Sequence, residues 1–350
     1  MTLTDPQSRP RGATLEEVAK VAGVSRATVS RVVNGSTRVS GDVRLAVETA
    51  VSQLGYVPNR AARSLVTRRS GSIAVVITEP TGRLFSDPFF PRLLRGISAT
   101  LNARDIQLVL LMPATPADTD RTADYLAAGH VDGALLVSLH GDDPLPERMG
   151  RAGIPVVVGG RPLRASGTSL VDVDNRGGAR VAVAHLLETG RRTIATIAGP
   201  ADMGAGIDRL AGYRDALAEA GLAVDDGLIE IADFTQEGGA AAMERLLAVR
   251  PTVDAVFAAS DLMAAGALAV LDAAGRRVPA DVALVGYDDS PVALSVRPPL
   301  TSVRQPIEEM GAEMARLLVA AVEEGQPVQR RIILATELVR RASSGGRRQP

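Results

Sequence analysis

Cysteine and tryptophan are absent from this 350-residue chain, which also has only three histidines. Without cysteine there can be no disulfides, thiolate metal sites or cysteine nucleophiles. We expect His130, His140 and His185 to lie on helices or at the surface and not at a metal. The sequence therefore predicts neither a metal nor a cofactor.

Targeting and membrane signals are missing as well. The first twelve residues, MTLTDPQSRPRG, lack the apolar run of a signal peptide. No stretch of about 18 apolar residues indicates a membrane span. The sequence therefore predicts a cytoplasmic protein without a membrane partner.

Catalytic motifs are also absent. The chain has no G-x-S-x-G elbow, no P-loop and no H-E-x-x-H. The stretch GPADMGAG (199–206) is rich in glycine but lacks the G-x-G-x-x-G spacing of a dinucleotide site. Asp288 and Asp289 are adjacent, and consecutive residues that leave a strand point in opposite directions, which makes them a poor acid–base pair. We expect no catalytic residues and hence no enzyme.

Charge is present but unevenly distributed. The net charge is −1, yet residues 1–69 hold eleven Lys and Arg against five Asp and Glu, and the remainder holds 28 against 35. The length is too great for one core, and 46% apolar with 23% charged residues is typical of globular units. A small basic head on a larger acidic body predicts a polyanion-binding module joined to a second function.

Three short helices are predicted within residues 13–56. Thr14 fits the start of a T-x-x-E capping box that begins the first helix, and Gly23 ends that helix with a tight turn. Ser25 can cap the second helix and Ser40 the third. Two helices joined by a three-residue turn are typical of a helix-turn-helix unit.

The second helix has the composition of a DNA-reading helix. Its valines pack inward, and its opposite face carries two arginines and two short side chains: Arg26, Ala27, Ser30 and Arg31. Arginine can form two hydrogen bonds to guanine, and short side chains let the backbone approach closely. Four more polar residues are candidate phosphate contacts: Thr14, Ser25, Thr28 and Asn34. The alternative is a solvated face on a small helical bundle, but the turn, the caps and the basic excess together favour DNA.

Residues 57–70 are predicted to form a hinge after the head, which spans residues 1–56. Asn59 can cap a short helix in which Ala62 and Leu65 share a face, but so short a helix is unstable alone in water. It would order only with a partner, such as the same helix of a second subunit on DNA. The candidate DNA contacts of this hinge are Asn59, Arg60, Ala62, Arg63 and Leu65.

Residues 71–341 alternate between apolar runs and helix-length segments such as 90–104 and 118–128. Seven runs are predicted strands: 72–78, 106–112, 133–138, 154–160, 193–199, 254–260 and 281–289. This alternation predicts an α/β body of two doubly wound parallel-sheet lobes with a ligand cleft between them. Residues 342–350 are expected to be a disordered tail.

Polar and aromatic residues stand where ligands bind such sheets, beyond the strand ends. The polar candidates are Ser260, Asp261, Asp288, Gln305 and, at the start of a helix, Arg209. Three of the five phenylalanines lie near loop edges: Phe89, Phe90 and Phe234. Carboxylates accept paired hydroxyl donors, and aromatic faces pack on sugar C–H groups or on bases. The set predicts a site for a small polar ligand.

Two motifs carry a resemblance to a known family. The stretch TLEEVAKVAGVSRATVSRVVNG, followed by LGYVPNRAARSL, resembles the head and hinge of the lactose-repressor (LacI) family of bacterial transcription regulators. The resemblance runs from about Thr14 to Arg341. It implies a helix-turn-helix head and a two-lobed, periplasmic-binding-protein-like effector domain. It also implies that paired hinge helices enter the minor groove, where Leu65 pries apart a base step.

The resemblance implies roles for the cleft residues too. Effector contacts are implied for Arg209, Asp261 and Asp288, with Phe90, Phe234 and Gln305 alongside them. Two departures from the family pattern occur: Ser260 stands where Asn is frequent, and Gly160, before Arg161, stands where Asp is frequent. Both changes remove polar groups from the expected pocket, so Gly160 and Arg161 join the candidate effector-binding residues.

The sequence thus predicts a ligand-responsive regulator that represses genes of sugar uptake or breakdown as a homodimer on a near-palindromic operator. The tail RRASSGGRRQP lacks the leucine heptads of a tetramerisation helix. Induction and corepression both occur in the family and stay open, as does a nucleoside effector. A transport binding protein would need a signal peptide and no head, and an enzyme would need catalytic residues that we do not find.

Overall fold

A computed structural model describes residues 13–33, 38–56, 69–164, 167–325 and 329–345. The chain forms two compact units, Met1–Ser70 and Gly71–Pro350. None of the described helices is long and apolar enough to cross a membrane. Several predicted DNA contacts lie outside the described residues: Asn34, Asn59, Arg60, Ala62, Arg63 and Leu65.

The first unit contains the three predicted helices, α1 (Leu15–Ala22), α2 (Arg26–Val33) and α3 (Gly41–Leu54). The capping box at Thr14 is present, and Gly23 ends α1 in the left-handed conformation at φ +66°. Ser25 accepts a hydrogen bond from the Thr28 backbone N–H, as predicted. Ser40 does occupy the N-cap position of α3, but its side chain makes no capping hydrogen bond. The core of this unit centres on three fully buried valines, Val18, Val29 and Val47.

The second unit begins with an α/β lobe, the amino-terminal lobe. Its strands are β1 (Ser72–Ile77), β2 (Gln107–Leu111), β3 (Gly133–Val137), β4 (Val156–Gly159) and β5 (Ser169–Val173). Its helices are α4 (Thr81–Ser86), α5 (Phe89–Asn102), α6 (Pro116–Ala127) and α7 (Leu145–Arg151). All these strands pair in parallel, and alternate residues of β1 face two different apolar clusters. Both faces of the sheet are therefore buried.

The chain then builds a second α/β lobe, the carboxy-terminal lobe. Its helices are α8 (Asn175–Glu188), α9 (Gly204–Glu219), α10 (Gln236–Val249), α11 (Asp261–Ala273) and α12 (Pro291–Ser295). Its strands are β6 (Ile194–Ala198), β7 (Ile229–Ile231), β8 (Ala255–Ala258), β9 (Ala283–Asp288) and β10 (Thr301–Arg304). Tyr213 and Phe257 are fully buried in its core.

The remaining segments return to the lobes in turn. Helix α13 (Ile307–Glu324) packs in the core of the amino-terminal lobe, and β11 (Arg331–Leu334) pairs there with β5. Strand β12 (Glu337–Val339) then pairs antiparallel with β10 in the carboxy-terminal lobe. The strand orders are β11-β5-β4-β3-β1-β2 and β12-β10-β9-β8-β6-β7. The chain crosses between the lobes three times, after β5, after β10 and after β11.

The seven predicted strands are all confirmed to within three residues at either end. The tail differs from its prediction, because Ala342–Ser344 form a 3-10 helix. Ser343 is fully buried, donates to the Leu284 carbonyl at 2.6 Å and accepts from the Thr301 backbone N–H at 2.8 Å. These bonds order residues 342–345, so the expectation of disorder from residue 342 is wrong; residues 346–350 lie outside the described part.

Candidate functional site

The cleft between the two lobes contains two adjoining cavities. Six residues line both: Phe89, Ser138, Met203, Ala205, Arg209 and Gln305. Ser138 follows β3, Met203 and Ala205 follow β6, and Gln305 follows β10, so these residues lie beyond the carboxyl ends of strands in both sheets. The strand order reverses at β1 in one sheet and at β6 in the other. Such reversal points are where open α/β sheets bind ligands. The predicted location of the site at the strand ends is therefore consistent with the cavities.

Arg209 of α9 is held rigidly at the junction of the two cavities. Its Nε donates to Asn175 Oδ1 at 2.9 Å, and its Nη1 donates to the Ala259 carbonyl at 2.6 Å. The guanidinium also stacks on the buried ring of Tyr287, 3.7 Å from the ring centroid. Because these contacts fix a planar guanidinium, little side-chain entropy would be lost on binding a ligand.

Asp288 ends β9 and faces the same cavity as Arg209. Its Oδ1 accepts from Gln305 Nε2 at 2.5 Å and lies 3.5 Å from Arg209 Nη1. Burial raises the pKa of the Asp288 carboxyl, while the charge of Arg209 opposes that rise. A ligand hydroxyl that donates to this carboxylate would favour its ionised form. The arrangement can therefore recognise hydroxyl donors.

Aromatic rings border the cavities from both lobes. The Phe89 and Phe90 rings pack edge to face at a centroid distance of 5.3 Å. Phe90 is also 1% exposed and belongs to the core of the amino-terminal lobe, so only part of its predicted role can be ligand packing. The centroid of the Phe234 ring lies close to two guanidinium groups, 5.3 Å from Arg83 Cζ and 5.7 Å from Arg209 Cζ.

Ser260 and Asp261 are adjacent in the sequence but have different surroundings. Ser260 lines a cavity and caps α11 through the Met263 backbone N–H. Asp261 lines neither cavity, differing from its prediction. Its fully buried carboxylate accepts from the Ser290 backbone N–H at 2.7 Å and from Ser302 Oγ at 2.6 Å. Asp261 is therefore occupied in holding together the segments that follow β9 and form β10.

Gly160 and Arg161 line the other of the two cavities, not the one that Asp288 and Phe234 line. Arg161 reaches the opposite lobe and forms two hydrogen bonds to Asp208, of 2.9 and 2.8 Å. A Cβ at Gly204 would lie 2.2 Å from the Arg161 carbonyl oxygen, so glycine there permits the lobes to touch. The paired fork geometry is a strong one, and it commits the Arg161 guanidinium to closure of the lobes.

His140 forms a second contact between the lobes. Its Nε2 lies 3.0 Å from Glu79 Oε1 in its own lobe, and its Nδ1 lies 3.0 Å from Asp202 Oδ2 in the other. The hydrogen bond with Glu79, assisted by Asp202, raises the pKa of His140. Burial raises the pKa of Glu79, but His140, Arg83 and Ser138 outweigh burial and leave it lowered.

Backbone strain concentrates at the strand ends around the cleft. Four non-glycine residues there have positive φ: Ser138 (+61°), Phe234 (+67°), Asp288 (+106°) and Asp289 (+46°). Such conformations are uncommon for residues with a Cβ and persist where surrounding contacts impose them, often at functional sites. At Asp288 the effect is to turn the carboxylate into the cavity while that of Asp289 bonds Arg304 and Arg341.

Several cavity residues were not predicted from the sequence. They are Arg83, Asp87, Ser138, Asn175 and Met203. The stretch SDPFF contains Asp87 next to two predicted phenylalanines, so that aspartate carried a detectable signal. Arg83 lies on the six-residue helix α4, which is too short to show helical periodicity. Within the described ranges, no group of three or more His, Asp and Glu is placed to hold a metal.

The predicted reading face of α2 is open to solvent in the first unit. Ser25, Arg26, Ala27 and Arg31 are exposed, and Thr28 and Ser30 are half-buried. Arg26 Nη1 lies 3.1 Å from Glu16 Oε1, with both side chains more than half exposed. An exposed pair of this kind contributes little free energy, so Arg26 can exchange it for another partner. These members of the predicted contact set are therefore accessible.

Comparison with known proteins covers nearly the whole chain. Residues 14–59 match the family described as bacterial regulatory proteins, lacI family, and residues 183–344 match the periplasmic binding protein-like domain. The HTH-type transcriptional regulator CelR of Thermobifida fusca is 54% identical over 339 residues, which is 96% of this chain and 99% of CelR. The ribose operon repressor of Escherichia coli K12 is 34% identical over 336 residues, 95% of this chain and 100% of the repressor.

Two solved structures extend the likeness to three dimensions. A complex of the transcriptional regulator CelR with cellobiose matches with a TM-score of 0.77 and 52% identity, covering 95% of this chain and 99% of that one. A lac repressor dimer bound to operator and the anti-inducer ONPF matches with a TM-score of 0.84 and 27% identity, with the same coverage. Identity and fold thus agree over head and body alike. The chain belongs to the LacI family and is a DNA-binding, ligand-responsive transcription regulator.

Proposed function

We propose that this regulator represses genes of sugar uptake or breakdown and that its effector is an uncharged sugar. The observation that supports a sugar effector is that Asp288, Arg209 and Phe234 line the same cavity. A carboxylate accepts from sugar hydroxyls, a guanidinium donates to sugar oxygens, and an aromatic ring covers the C–H face of a pyranose. The proposal assigns binding to the cleft and no chemical step.

A β-linked glucose disaccharide is the first candidate. CelR, with more than half of its residues identical to this chain over almost its full length, has been solved with cellobiose. Two adjoining cavities share Arg209 and Gln305, so a ligand that spans both would contact these two side chains. Cellobiose is therefore the effector that we would test before other sugars.

We further propose that the exposed face of α2 reads operator DNA in the major groove. Arg26 and Arg31 are the candidates for base contacts, and Thr14, Ser25 and Thr28 for phosphate contacts. Helix-turn-helix heads bind as pairs to two half-sites, and the related lac repressor is a dimer on its operator. A homodimer on a near-palindromic site follows, with Leu65 of each hinge at the centre.

The effector can influence the lobes through a chain of hydrogen bonds. Asn175 Nδ2 donates to Asp172 Oδ1 at 3.0 Å, and Asn175 Oδ1 accepts from Arg209. Arg209 adjoins Asp288, which is bonded to Gln305. Asn175 and Gln305 flank two of the three crossings between the lobes. A ligand that prefers one arrangement of these crossings shifts the population of lobe arrangements.

The proposal is tested by fluorescence anisotropy with DNA from upstream of the protein's own gene. Titrations are run without ligand and with cellobiose, glucose, ribose, galactose and adenosine. Release of DNA by a sugar identifies an inducer, and tighter binding identifies a corepressor. A response to adenosine alone would contradict the sugar effector, and failure to bind any upstream palindrome under all conditions would contradict the regulator itself.

Two variants separate the two activities. Arg31→Ala is expected to lose at least tenfold in operator affinity while binding effector normally, because a base contact is worth about 1–3 kcal/mol. Asp288→Asn is expected to bind operator as the wild type does and to lose its response to sugar. If Arg31→Ala kept its operator affinity and lost effector binding, the DNA site would be refuted. If Asp288→Asn lost operator affinity and kept its response to sugar, the effector site would be refuted.

A further inference from the structure

Tyr287 contacts a cavity residue with its ring and approaches the lobe crossings with its hydroxyl. It lies in β9 directly before Asp288 and is fully buried. The Arg209 guanidinium stacks on its ring, 3.7 Å from the centroid. At the other end of the side chain, a Cβ at Gly178, in the first turn of α8 after the first crossing, would lie 2.7 Å from the hydroxyl oxygen. One side chain therefore connects the effector site to the segments that join the lobes.

The hydroxyl of Tyr287 is buried and has no hydrogen-bond partner among the described residues. Burial raises the pKa of Tyr287, so the hydroxyl keeps its proton and stays a donor at ordinary pH. A buried donor without a partner costs free energy. The hydroxyl of Tyr213, which is fully buried in the same core, instead donates to the Ile194 carbonyl at 2.8 Å. The missing bond is thus specific to position 287.

The first and third crossings meet beside this hydroxyl. The Asp174 backbone N–H donates to the Leu334 carbonyl at 2.9 Å. Thr336 Oγ1 lies 3.5 Å from the Asp174 carbonyl oxygen, which is long for a hydroxyl donor. A Cβ at Gly178 would lie 2.7 Å from Thr336 Oγ1 as well, so the hydroxyls of Thr336 and Tyr287 approach the same point. Two hydroxyls without good partners therefore adjoin segments that must shift when the lobes move.

The lobes are closed on each other in this structure. Arg161 bonds Asp208 across the cleft, and Arg92 Nη1 of the amino-terminal lobe lies 3.4 Å from the Asp288 carbonyl oxygen. Because both lobes line the cavities, a sugar that contacts both favours this closed arrangement. The unpaired hydroxyl of Tyr287 has the opposite effect, since its cost belongs to the closed arrangement.

We propose that Tyr287 is a positioning residue that links effector binding to lobe movement. Its ring holds Arg209 in place for the sugar. Its hydroxyl, unpaired in the closed arrangement, donates to Thr336 Oγ1 when the crossings shift toward an open one. The hydroxyl therefore opposes closure until a sugar binds. The inference rests on the proposed sugar effector and adds a residue that does not contact it.

The first test is calorimetric titration of the full chain with cellobiose. Tyr287→Phe keeps the ring beside Arg209 and removes the hydroxyl, so cellobiose should bind about three- to tenfold more tightly. Thr336→Val removes the acceptor of the open arrangement and should also tighten binding. Since both changes remove the same bond, the double variant should gain no more than the larger single change. Tyr287→Leu, which loses the ring, should bind cellobiose more weakly than Tyr287→Phe.

Tyr213→Phe is the matched control, because it removes a buried hydroxyl whose hydrogen bond is made. It should lower the melting temperature with and without cellobiose and leave cellobiose affinity unchanged. In saturating cellobiose the cleft is held closed, so Tyr287→Phe should then melt at or above the temperature of the wild type. If a water bonded the Tyr287 hydroxyl in the closed arrangement, Tyr287→Phe would melt lower under these conditions, and the inference would be overturned.

Operator binding supplies a measurement that a merely structural role would not change. Without sugar, Tyr287→Phe should shift operator affinity in the direction in which cellobiose shifts it for the wild type, because both favour closure. Unchanged or weaker cellobiose binding by Tyr287→Phe, or an unchanged operator affinity, overturns this inference alone.

Absence of cellobiose binding by the wild type overturns the proposed sugar effector instead. The role of Tyr287 is then still decided by operator affinity, which Tyr287→Phe and Thr336→Val should shift in the same direction without adding in the double variant. Additive or opposite shifts would contradict a bond between the two hydroxyls.

Discussion

Two aspartates that follow strands of the carboxy-terminal lobe have opposite surroundings. Asp261 and Asp288 are alike in the sequence, since each comes at the end of an apolar run. In the structure the Asp261 carboxylate is bonded to Ser290 and Ser302, which are 29 and 41 residues away along the chain. Asp288 instead faces the cavity with Gln305 and Arg209. Partners so distant in sequence leave no local pattern, which explains why both were predicted as effector contacts.

Replacing each aspartate by the isosteric asparagine should affect a different property: stability at Asp261 and sugar affinity at Asp288. Asp261→Asn is expected to lower the free energy of unfolding by roughly 1–3 kcal/mol, because an amide cannot accept both buried hydrogen bonds equally well. Its effect on cellobiose affinity should be small. Asp288→Asn should lower affinity at least tenfold and change stability less, since this carboxylate faces the cavity beside Gln305 and Arg209. Denaturant unfolding and calorimetric titration measure both, and equal stability losses in the two variants would argue against this division.

At the scale of elements, the contact between α5 and α13 depends on close approach of their backbones. A Cβ at Gly96 would lie 1.9 Å from the Glu308 carbonyl oxygen, and a Cβ at Gly311 would lie 2.3 Å from that of Leu93. Glycines facing in both directions let the two helices pack more tightly than larger residues permit. Arg92 of α5 adds a fork of hydrogen bonds to Glu308, at 2.9 and 3.0 Å.

Alanine at Gly96 should therefore be disruptive. We expect Gly96→Ala to lower the free energy of unfolding by about 1–3 kcal/mol, the usual cost of overpacking. The helical Gly150 is the control, because a Cβ there meets nothing within 4 Å. Gly150→Ala should be neutral or stabilise by about 0.5–1 kcal/mol through a less flexible unfolded chain. Chemical denaturation compares the two, and equal effects would show that helix propensity, not packing, decides.

The short 3-10 helix near the end of the chain joins three elements of the carboxy-terminal lobe. Ser344 Oγ lies 2.8 Å from His185 Nε2 of α8 and 2.7 Å from Thr301 Oγ1 of β10. Ser343 bonds the Leu284 carbonyl of β9. All these groups are buried. The segment is thus part of the lobe's polar interior.

Truncation tests that assignment. A chain ending at Arg341 should melt several degrees below the full chain, because it leaves buried polar groups at Thr301 and His185 without partners. A chain ending at Gly345 keeps those partners and should melt as the full chain does. Differential scanning fluorimetry distinguishes the two, and identical melting of both truncations would contradict a structural role for residues 342–345.

At the scale of the whole second unit, two ionisable contacts join the lobes across the cleft. Arg161 joins Asp208 between the lobes, and His140 joins Asp202. The arginine pair keeps its charge at all ordinary pH values, whereas the histidine contact is strongest when the imidazole is protonated. Closure should therefore contain one pH-dependent contribution.

Stability should reflect this with a definite sign. Because the pKa of His140 is raised from 6.5 in the folded protein, its contribution is fully present below pH 6.5 and is lost as pH rises through the raised value. The difference in unfolding free energy between wild type and His140→Gln should thus be largest at low pH and shrink toward pH 8.5. Burial lowers the pKa of His185, but this residue is present in both proteins, so its contribution cancels from the difference in unfolding free energy.

Urea unfolding at intervals between pH 5.5 and 8.5 measures that difference. His130→Gln controls for loss of a histidine, since His130 is exposed and stacks on Tyr125. Asp202→Asn removes the contact with the carboxy-terminal lobe and should reproduce part of the effect. A difference between wild type and His140→Gln that stays constant with pH would rule out the charged contact.

Strand prediction succeeded where burial on both sheet faces demands long apolar runs. SIAVVIT and GALLVS contain β1 and β3, which are central and almost wholly buried. The sequence analysis gave no range for β5, β7, β10, β11 or β12. Strands β7 and β12 are three residues long, and β11 is half exposed, so none of these makes a distinctive run. Strand β5 contains Asp172, whose buried carboxyl bonds Asn175 across a lobe crossing.

The sequence by itself determined the helix-turn-helix, its caps at Thr14 and Ser25 and the long buried strands, because these depend on neighbours within a few residues. The capping box at Thr14 and the strand of SIAVVIT are examples. Only the tertiary structure decided which strand-end residues meet in the cleft. Three crossings bring Arg83, Arg209 and Gln305 together from distant parts of the chain. Side-chain burial, unpaired donors and contacts between lobes arise from that assembly, since each depends on atoms that the local sequence does not contain.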